Sequence, residues 1–569
     1  MSQNNSQQEL LAHIQDLEKQ IKVLKDRKKY GLVWEEKTED VVLECNNNVP
    51  ILKEVKSRKL VSDNSTSINV LIEGDNYHSL SVLNYTHKGK IDVIYIDPPY
   101  NTGNNSWRYN NDYVDENDSY RHSKWISMMK SRLVLSKNLL TDSGFLICAI
   151  DHNELFTVGL LMDEIFGENN RVGIVSVVHK AEGRNQEKFF GTSHEYMLFY
   201  SKNKAMSSFN SIVLDEDIQA TFNQSDELGL YRLNNYLRSG GGDQNLRTNK
   251  EHFFYPIYVS KDLKSITLTK TPKYEEILPI TNSKQERTWK TTKETFLDRL
   301  NEGQIIAERD QNNKIQIFEK YRENQVIKTH WIDPKYHAIH YGTKIVENIL
   351  GGKMFDFPKS LYLVLDSLKL TSKKNSIILD FFAGSGTTGH AVLELNKQDN
   401  GNRKFILCTN NENKICEEIT YERIKRVMKG YKNLKGEKIE GLGSNLSYYK
   451  TDIVSIEKLQ RISDESKIKI TYQAGEMIAI RENTLNEVDK NEWWQVFENN
   501  TKTTAIYFKE DKEKLQELVK ILEKKETPTV LYVFGWGKNE YKNEYSGKNI
   551  RVEDIPEPII EVYKEINRI

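Results

Sequence analysis

Two short segments contain residue types that could bind a ligand or take part in catalysis. The first is the glycine-rich stretch 380–389, DFFAGSGTTG, which follows an apolar run and precedes a predicted helix. Glycines let the backbone approach a ligand closely, and a helix N-terminus offers free N–H groups to an anion. Gly384, Gly386 and Gly389 also satisfy GxGxxG, so the stretch predicts a ligand site without choosing the ligand. An ordinary strand-to-helix turn is the alternative.

The second segment is Asp97-Pro98-Pro99-Tyr100, which ends the apolar run 91–96. This run is a predicted buried strand, and open α/β sheets bind ligands at the carboxyl ends of their strands. The two prolines stiffen the turn and donate no backbone hydrogen bonds, so nearby carbonyls stay available to a ligand. A carboxylate, a carbonyl and an aromatic ring in a row fit a planar base with an amino group. An isolated DPPY is also compatible with a plain turn.

The chemistry that suits this second segment is methylation of an exocyclic amine. The amine of adenine is a poor nucleophile because its lone pair is delocalised into the ring. Asp97 and the Pro98 carbonyl would accept the two amine hydrogens and stabilise the positive charge that develops during attack on a sulfonium methyl group. Tyr100 would stack on the base, which must first be flipped out of a duplex. Holding both reactants in line would supply the remaining rate acceleration, and the reaction needs no metal.

The pattern of apolar runs around these segments indicates an α/β fold with an insertion. Strand-like runs at 68–72, 91–96 and 144–150 alternate with helical stretches at 124–140 and 155–166, which is typical of a doubly wound sheet. The alternation stops at about residue 171. It returns near 358 with helices at 361–368 and 390–396 and strands at 377–379 and 404–408. The two candidate segments therefore belong to two halves of one sheet.

Composition shifts predict five regions: an N-terminal helical segment (1–60), the first half of the sheet (61–170), an inserted domain (171–350), the second half (351–445) and a small C-terminal α/β domain (446–569). In the C-terminal region, strands at 504–508 and 529–534 flank a charged helix at 511–525. In the first region, apolar side chains at helical spacing form one stripe, which favours packing on the chain itself or contact with a partner. The stripe consists of Leu10, Ile14, Leu17, Ile21 and Leu24.

Length and charge set further limits. A chain of 569 residues exceeds what one hydrophobic core organises. The net charge is −1, so any surface that binds nucleic acid has to be local. The four cysteines form no CxxC pair and the histidines do not cluster, which predicts neither a disulfide framework nor a zinc site. The sequence shows no signal peptide and no apolar run of about 20 residues, so we expect a cytoplasmic protein.

The sequence resembles the β-class amino-methyltransferases, in which a DPPY element precedes an FxGxG element and a target-recognition domain lies between them. More narrowly, it resembles the Mod subunits of Type III restriction–modification systems. The resemblance covers roughly residues 30 to 430. The segments that carry it are KYGLVWEEK (30–38), IEGDNYHSLSVL (72–83), GKIDVIYIDPPYNTG (89–103), LMDEIFGE (161–168), SHEYMLFYSKN (193–203) and ILDFFAGSGTTGHAV (378–392).

The resemblance implies a Rossmann-like, circularly permuted methyltransferase sheet with an inserted target-recognition domain. It implies S-adenosylmethionine as the cofactor and the N6 amine of adenine in double-stranded DNA as the methyl acceptor. A bacterial protein of this kind would form a homodimer and would join a separate Res subunit with helicase and endonuclease activity. Two alternatives remain within this class: a solitary adenine methyltransferase, and an N4-cytosine methyltransferase, for which a serine in place of Asp97 would be expected.

Carried over residue by residue, the resemblance assigns catalysis to Asp97, Pro98, Pro99 and Tyr100. Thr409 is a departure, because this fold usually places an acidic residue there on the cofactor ribose. Asn410, Asn411 or Glu412 would take that role instead. The implied cofactor residues are Asp75, Lys359, Asp380, Phe382, Gly384, Ser385, Gly386, Thr387, Thr388 and Asn410.

Residues that could contact DNA follow the catalytic turn or lie in loops of the insertion. Side chains of this kind in loops suit both phosphate and base contacts. The candidates are Asn101, Trp107, Arg184, Lys188, Arg238, Arg247 and Lys250. A nucleotide-dependent oxidoreductase would leave DPPY without a role and predicts an acidic residue where Thr409 stands. A subunit that mainly reads DNA for a restriction partner would not require Asp97 and Tyr100.

Overall fold

The described residues of the chain fall into two units. The structure, a computed structural model, describes residues 34–62, 68–101, 120–183, 189–210, 220–227, 229–238, 242–322, 327–536, 541–545, 547 and 549–567. The larger unit combines Met1–Phe209 with Lys328–Ile569, and the smaller unit is Asn210–Ile327. The stripe predicted within residues 10–24 lies outside the described residues.

The first part of the larger unit alternates strands and helices as predicted. Its strands are β1 (Asn48–Glu54), β2 (Ile68–Glu73), β3 (Ile91–Ile96), β4 (Leu140–Ile150), β5 (Arg171–Val178) and β6 (His194–Ser201). Its helices are α1 (Asp40–Glu44), α2 (Asn76–Thr86), α3 (Arg121–Leu139) and α4 (Leu155–Phe166).

The smaller unit is built mainly from short strands. Its elements are β7 (Gln224–Asp226), β8 (Gly229–Asn235), β9 (Leu237–Arg238), β10 (Ile257–Val259), β11 (Ile266–Thr267), β12 (Glu275–Ile277), β13 (Thr288–Trp289), α5 (Lys293–Asn301), β14 (Ile305–Arg309) and β15 (Ile315–Arg322). Its core packs the aromatic residues Tyr236, Tyr255, Trp289 and Phe296 with aliphatic side chains of β14 and β15.

The chain then returns to the larger unit. The elements are β16 (His330–Trp331), α6 (Lys344–Leu350), α7 (Leu361–Thr371), β17 (Ile377–Asp380), α8 (Thr387–Asp399), β18 (Lys404–Thr409), α9 (Glu422–Lys429), β19 (Gly430–Lys432), β20 (Lys438–Glu440) and β21 (Asn445–Ser455). Ten of the described strands form one sheet in the order β1-β21-β2-β18-β17-β3-β4-β6-β5-β16.

The centre of this sheet is parallel from β21 to β4, and β6 pairs antiparallel with β4. Its strands are nearly continuous apolar runs because helices cover both faces of a parallel sheet. In β3, for example, Ile91 and residues 93–96 are buried. The predicted doubly wound α/β fold is confirmed, and β17 of the second half lies directly beside β3 of the first half.

The C-terminal part adds a second sheet. Its elements are α10 (Asp464–Gln473), α11 (Gly475–Glu482), β22 (Asn486–Lys490), β23 (Trp494–Asn499), β24 (Lys502–Tyr507), α12 (Lys512–Leu522), β25 (Thr529–Phe534), α13 (Lys542–Tyr545), β26 (Ile550–Ile555) and α14 (Glu557–Ile566). The strands follow one another across the sheet in the order β22 to β26.

The boundaries differ from the predicted ones in three places. Residues 171–209 and 328–350 belong to the larger unit rather than to the insertion, because β5, β6 and β16 extend the main sheet. The predicted helical segment 1–60 contains β1, which pairs with β21. The C-terminal part is not a separate unit, since Ile480, Phe508 and Ile559 pack in one hydrophobic cluster with Leu80 of α2.

Candidate active site

The two candidate segments meet at one edge of the main sheet. Strands β3 and β17 are parallel neighbours, with Val93 opposite Ile378 and Ile94 opposite Leu379. The DPPY turn that follows β3 and the glycine loop that follows β17 therefore leave the sheet side by side. The fold brings them together because the second half of the sheet inserts β17 next to β3.

The DPPY turn is anchored from α3. Trp125 is fully buried, and its indole N–H donates to the Pro99 carbonyl at 2.7 Å. The Pro98 carbonyl accepts no hydrogen bond from the described residues. One oxygen of Asp97, Oδ1, is buried, yet 29% of the side chain stays exposed. The turn thus keeps a carboxylate and a carbonyl together at the sheet edge.

Lys359 and Glu195, from other parts of the chain, contact the side chains of this turn. Lys359 Nζ lies 3.2 Å from Asp97 Oδ1 and donates to Glu195 Oε2 at 2.7 Å. It also donates to the Tyr100 hydroxyl and lies 4.5 Å from the centre of that ring. The Tyr100 hydroxyl in turn donates to Glu195 Oε2 at 3.0 Å. The sequence predicted Lys359 in the cofactor pocket, whereas the structure places its ammonium against Asp97 and Tyr100 of the DPPY turn.

The electrostatics of the turn follow from burial and from this lysine. Burial raises the pKa of Asp97, the Lys359 ammonium lowers that pKa, and the Glu195 carboxylate raises it. Burial would also raise the pKa of Glu195, but the Lys359 ammonium holds it below its usual value. Burial acts to lower the pKa of Lys359, and the two carboxylates raise it by more than burial lowers it. Lys359 is therefore a cation throughout the neutral pH range.

Asp380, the last residue of β17, holds the glycine loop in shape. Its Oδ1 accepts from the Phe382 N–H at 3.0 Å, and its Oδ2 accepts from the Thr388 hydroxyl at 2.6 Å. Burial raises the pKa of Asp380 to about 7, and the Asp97 carboxylate contributes in the same direction. Gly384 and Gly386 have φ angles of 50° and 78°, which L side chains rarely adopt, so the loop requires glycine there.

A buried arginine supports the same loop. Arg423 of α9 is fully buried, and its guanidinium donates to the Ser385 hydroxyl at 3.0 Å, the Thr387 hydroxyl at 2.8 Å and the Ser385 carbonyl at 3.2 Å. Burial lowers the pKa of Arg423 to about 9. The Ser385 and Thr387 hydroxyls, which the sequence predicted as cofactor contacts, thus bond to Arg423 inside the protein.

The neighbouring strand end fits a polar ligand. Asn410 directly follows β18, and its Oδ1 is buried with no hydrogen-bond partner among the described residues. Such an acceptor has a cost unless a ligand or water satisfies it. Asp75 is different, because its carboxylate caps α2 through the Tyr77 N–H at 2.7 Å and lies 3.5 Å from Arg132 Nη2. Asn410, the glycine loop and the start of α8 together fit S-adenosylmethionine.

The predicted DNA contacts are mostly engaged within the protein. Asn101 is buried in a left-handed conformation and donates to the buried Glu154 of the turn before α4. Arg238 donates to the Lys290 carbonyl at 2.7 Å, and Arg247 pairs with Glu286 at 3.1 Å. Lys250 Nζ lies 5.9 Å from the centre of the Phe253 ring. Trp107, Arg184 and Lys188 lie outside the described residues.

Four residues of the site carried no recognised signal in the sequence: Trp125, Glu154, Glu195 and Arg423. Each is a buried polar or charged group that bonds to residues of another element. The segment SHEYMLFY at 193–200 offered the only hint, since Glu195 is an acidic residue near the start of a mostly apolar strand. Among the described residues, no group of three potential metal ligands occurs, and no helix is both long and apolar enough to cross a membrane.

The fold and the site define a methyltransferase with a Rossmann-like sheet. The family model described as "DNA methylase" matches residues 91–429, which is more than half of the chain, and the chain belongs to this family. It is a DNA methyltransferase of a restriction–modification system, and the family uses S-adenosylmethionine as the methyl donor.

Relatives of known function support this placement. The EcoPI Mod subunit of Escherichia phage P1, a Type III enzyme, is 31% identical over 448 residues, which cover 71% of this chain and 69% of the relative. The Type II methyltransferase M.KpnI of Klebsiella pneumoniae is 31% identical over 402 residues, 68% of this chain and 94% of the relative. The resemblance to Type III Mod subunits is confirmed.

The match to the solved PvuII cytosine-N4-specific methyltransferase covers 67% of this chain and 97% of that protein, at 11% identity and a TM-score of 0.31.

Proposed function

We propose that the chain transfers the methyl group of S-adenosylmethionine to the N6 amine of adenine in double-stranded DNA. The observation that carries this proposal is the position of Asp97. Its partly exposed carboxylate stands at the carboxyl end of β3, beside the glycine loop that follows β17. An aspartate at the first position of this turn favours adenine over cytosine as the acceptor.

Each residue of the turn has a role in this reaction. Asp97 and the Pro98 carbonyl accept hydrogen bonds from the target amine and stabilise the positive charge that grows on it. Tyr100 stacks on the flipped base, which offsets part of the cost of unstacking. Trp125 fixes the turn through the Pro99 carbonyl, so the acceptors are already in place when the base arrives. S-adenosylmethionine, when bound, supplies an electrophilic methyl group.

The cofactor residues have two kinds of role. Asn410 offers a buried acceptor at the end of β18, and the loop at Gly384 and Gly386 lets the backbone approach the ligand. Asp380 and Thr388 shape that loop through their mutual hydrogen bond. For the DNA, positively charged side chains of the smaller unit would exchange their present contacts within the protein for phosphate or base contacts. These are Arg238, Arg247 and Lys250.

The test is sequencing of modified bases in DNA from cells that express this protein alone, beside the Asp97→Ala variant. We expect N6-methyladenine at one short motif with the intact protein and none with Asp97→Ala, although the variant still binds S-adenosylmethionine. Asp92→Asn is a matched control on the same strand, because Asp92 accepts from the Ile377 N–H at 2.8 Å and lies near the opposite end of β3. Methylated cytosine instead of adenine would overturn the proposal.

We also propose that the chain is part of a Type III system, which its similarity to the Type III Mod subunits supports. As a Mod subunit it would form a homodimer and join a Res partner. The same sequencing experiment separates this assignment from a Type II or solitary enzyme. An asymmetric motif marked on one strand supports the Type III assignment, whereas a palindromic motif marked on both strands contradicts it.

A further inference from the structure

Glu195 is a buried carboxylate that shares one lysine with the catalytic aspartate. It lies in β6, the antiparallel neighbour of β4, and only 6% of the residue is exposed. Its Oε2 accepts from Lys359 Nζ at 2.7 Å and from the Tyr100 hydroxyl at 3.0 Å. The same ammonium lies 3.2 Å from Asp97 Oδ1, so it contacts both carboxylates and lies closer to Glu195.

The position of this ammonium decides how strongly Asp97 can interact with a new donor. Two carboxylates and one ammonium leave the group with one net negative charge when all three are ionised. Charges interact strongly in a buried site because the local dielectric constant is low. A lysine fully committed to Asp97 would neutralise the carboxylate and occupy its acceptor positions, whereas a lysine held by Glu195 leaves Asp97 with residual negative charge.

We propose that Glu195 is a positioning residue that retains the Lys359 ammonium when the base arrives, so that Asp97 can exchange its contact with Lys359 for a hydrogen bond from the target amine. This inference rests on the proposed function of Asp97. When the base enters, the amine takes the acceptor site on Asp97, and Lys359 keeps its hydrogen bonds to Glu195 and Tyr100. No covalent bond is made or broken in this exchange, and no proton leaves the lysine.

The arrangement has a signature in the pH dependence of methyl transfer. On top of the effect of burial, the Lys359 ammonium lowers the pKa of Asp97 and the Glu195 carboxylate raises it. Removal of the Glu195 charge should therefore move the acidic limb of the rate profile to lower pH, and removal of the lysine should move it to higher pH. His179 also faces Glu195. The titratable groups that face Asp97 are Tyr95, Tyr100, Cys148, Glu195, Lys359 and Asp380.

The experiment uses the full chain and the variants Glu195→Gln, Lys359→Met and the double variant. Single-turnover methyl transfer is measured across the neutral pH range and one to two units to either side, with separate titrations for S-adenosylmethionine and DNA affinity. We expect Glu195→Gln to slow methyl transfer by about 10- to 100-fold, because the Lys359 ammonium then pairs with Asp97 alone and weakens it as a hydrogen-bond acceptor. The acidic limb of the pH–rate profile of this variant moves to lower pH, and its affinities for S-adenosylmethionine and DNA stay close to those of the intact protein. The double variant recovers part of the lost rate.

A matched control is Glu54→Gln, which removes another buried glutamate that pairs with a lysine, here Lys59 at 3.4 Å, on the distant strand β1. It should leave the rate and its pH profile unchanged. If Glu195→Gln does not fold, Glu195→Asp replaces it, since the shorter side chain withdraws the carboxylate and should slow transfer in a way that Lys359→Met relieves.

Two results would overturn the inference: a double variant whose rate loss is the product of the single losses, or an acidic limb that Glu195→Gln leaves in place. Neither result touches the role of Asp97. Activity in Asp97→Ala would instead refute the proposed function, and the inference would fail with it.

Discussion

Replacement of Asp380 by asparagine tests whether this buried carboxylate changes its protonation when S-adenosylmethionine binds. Burial raises the pKa of Asp380 from 3.8 to about 7. At about 1.4 kcal/mol per pH unit, the ionised form costs about 4 kcal/mol more here than in water. The positively charged sulfonium of the cofactor would offset part of this cost and lower the pKa. Binding should then release a proton from those molecules in which Asp380 is still neutral.

The expected number of protons released follows from the pKa of Asp380. At pH 7 about half of the molecules carry a neutral Asp380, so binding should release up to about half a proton per cofactor. Release should fall as the pH rises above 7, because the carboxylate is then already ionised. Isothermal titration calorimetry in buffers of different ionisation enthalpy measures the number of protons directly.

Asp380→Asn is the control as well as the perturbation. Asparagine cannot titrate, yet it keeps one oxygen that can accept from the Phe382 N–H or the Thr388 hydroxyl. Protons released by the cofactor itself appear in both proteins, so the difference between them reports Asp380 together with its electrostatic coupling to Asp97. Equal proton release by the two proteins at pH 7 would refute the reasoning.

Two further predictions concern residues that hold the site in place. Arg423→Met should weaken S-adenosylmethionine binding by about tenfold or more and lower the melting temperature. The reason is that the glycine loop loses its hydrogen bonds from a charged donor, each worth about 1.5–3 kcal/mol. Unchanged cofactor affinity by calorimetry would contradict this prediction. Trp125→Phe removes the donor to the Pro99 carbonyl, a bond worth about 1 kcal/mol. This variant should slow single-turnover methyl transfer while cofactor affinity is retained. A normal rate would show that the DPPY turn keeps its shape without this hydrogen bond.

The sequence predicted the sheet and its two motifs because they are local patterns. Continuous apolar runs such as 91–96 indicate buried parallel strands, and the structure has β3 at Ile91–Ile96. The helix at Leu155–Phe166 matches its predicted bounds. The sequence pattern places β5 and β6 in the insertion instead, because the strand–helix alternation stops there. The two strands pair antiparallel with each other, and the described residues between them contain no long helix.

What the sequence determined by itself was the class of reaction, because Asp97 to Tyr100 and the glycine loop are contiguous segments whose chemistry needs no distant partner to be recognised. What only the tertiary structure decided was the charge environment of Asp97. Glu195 and Lys359 are 164 residues apart in the chain, yet their side chains lie 2.7 Å apart. No local pattern contains such a contact, because it arises from the order in which β3, β4 and β6 pair and from where the chain re-enters the sheet before α7.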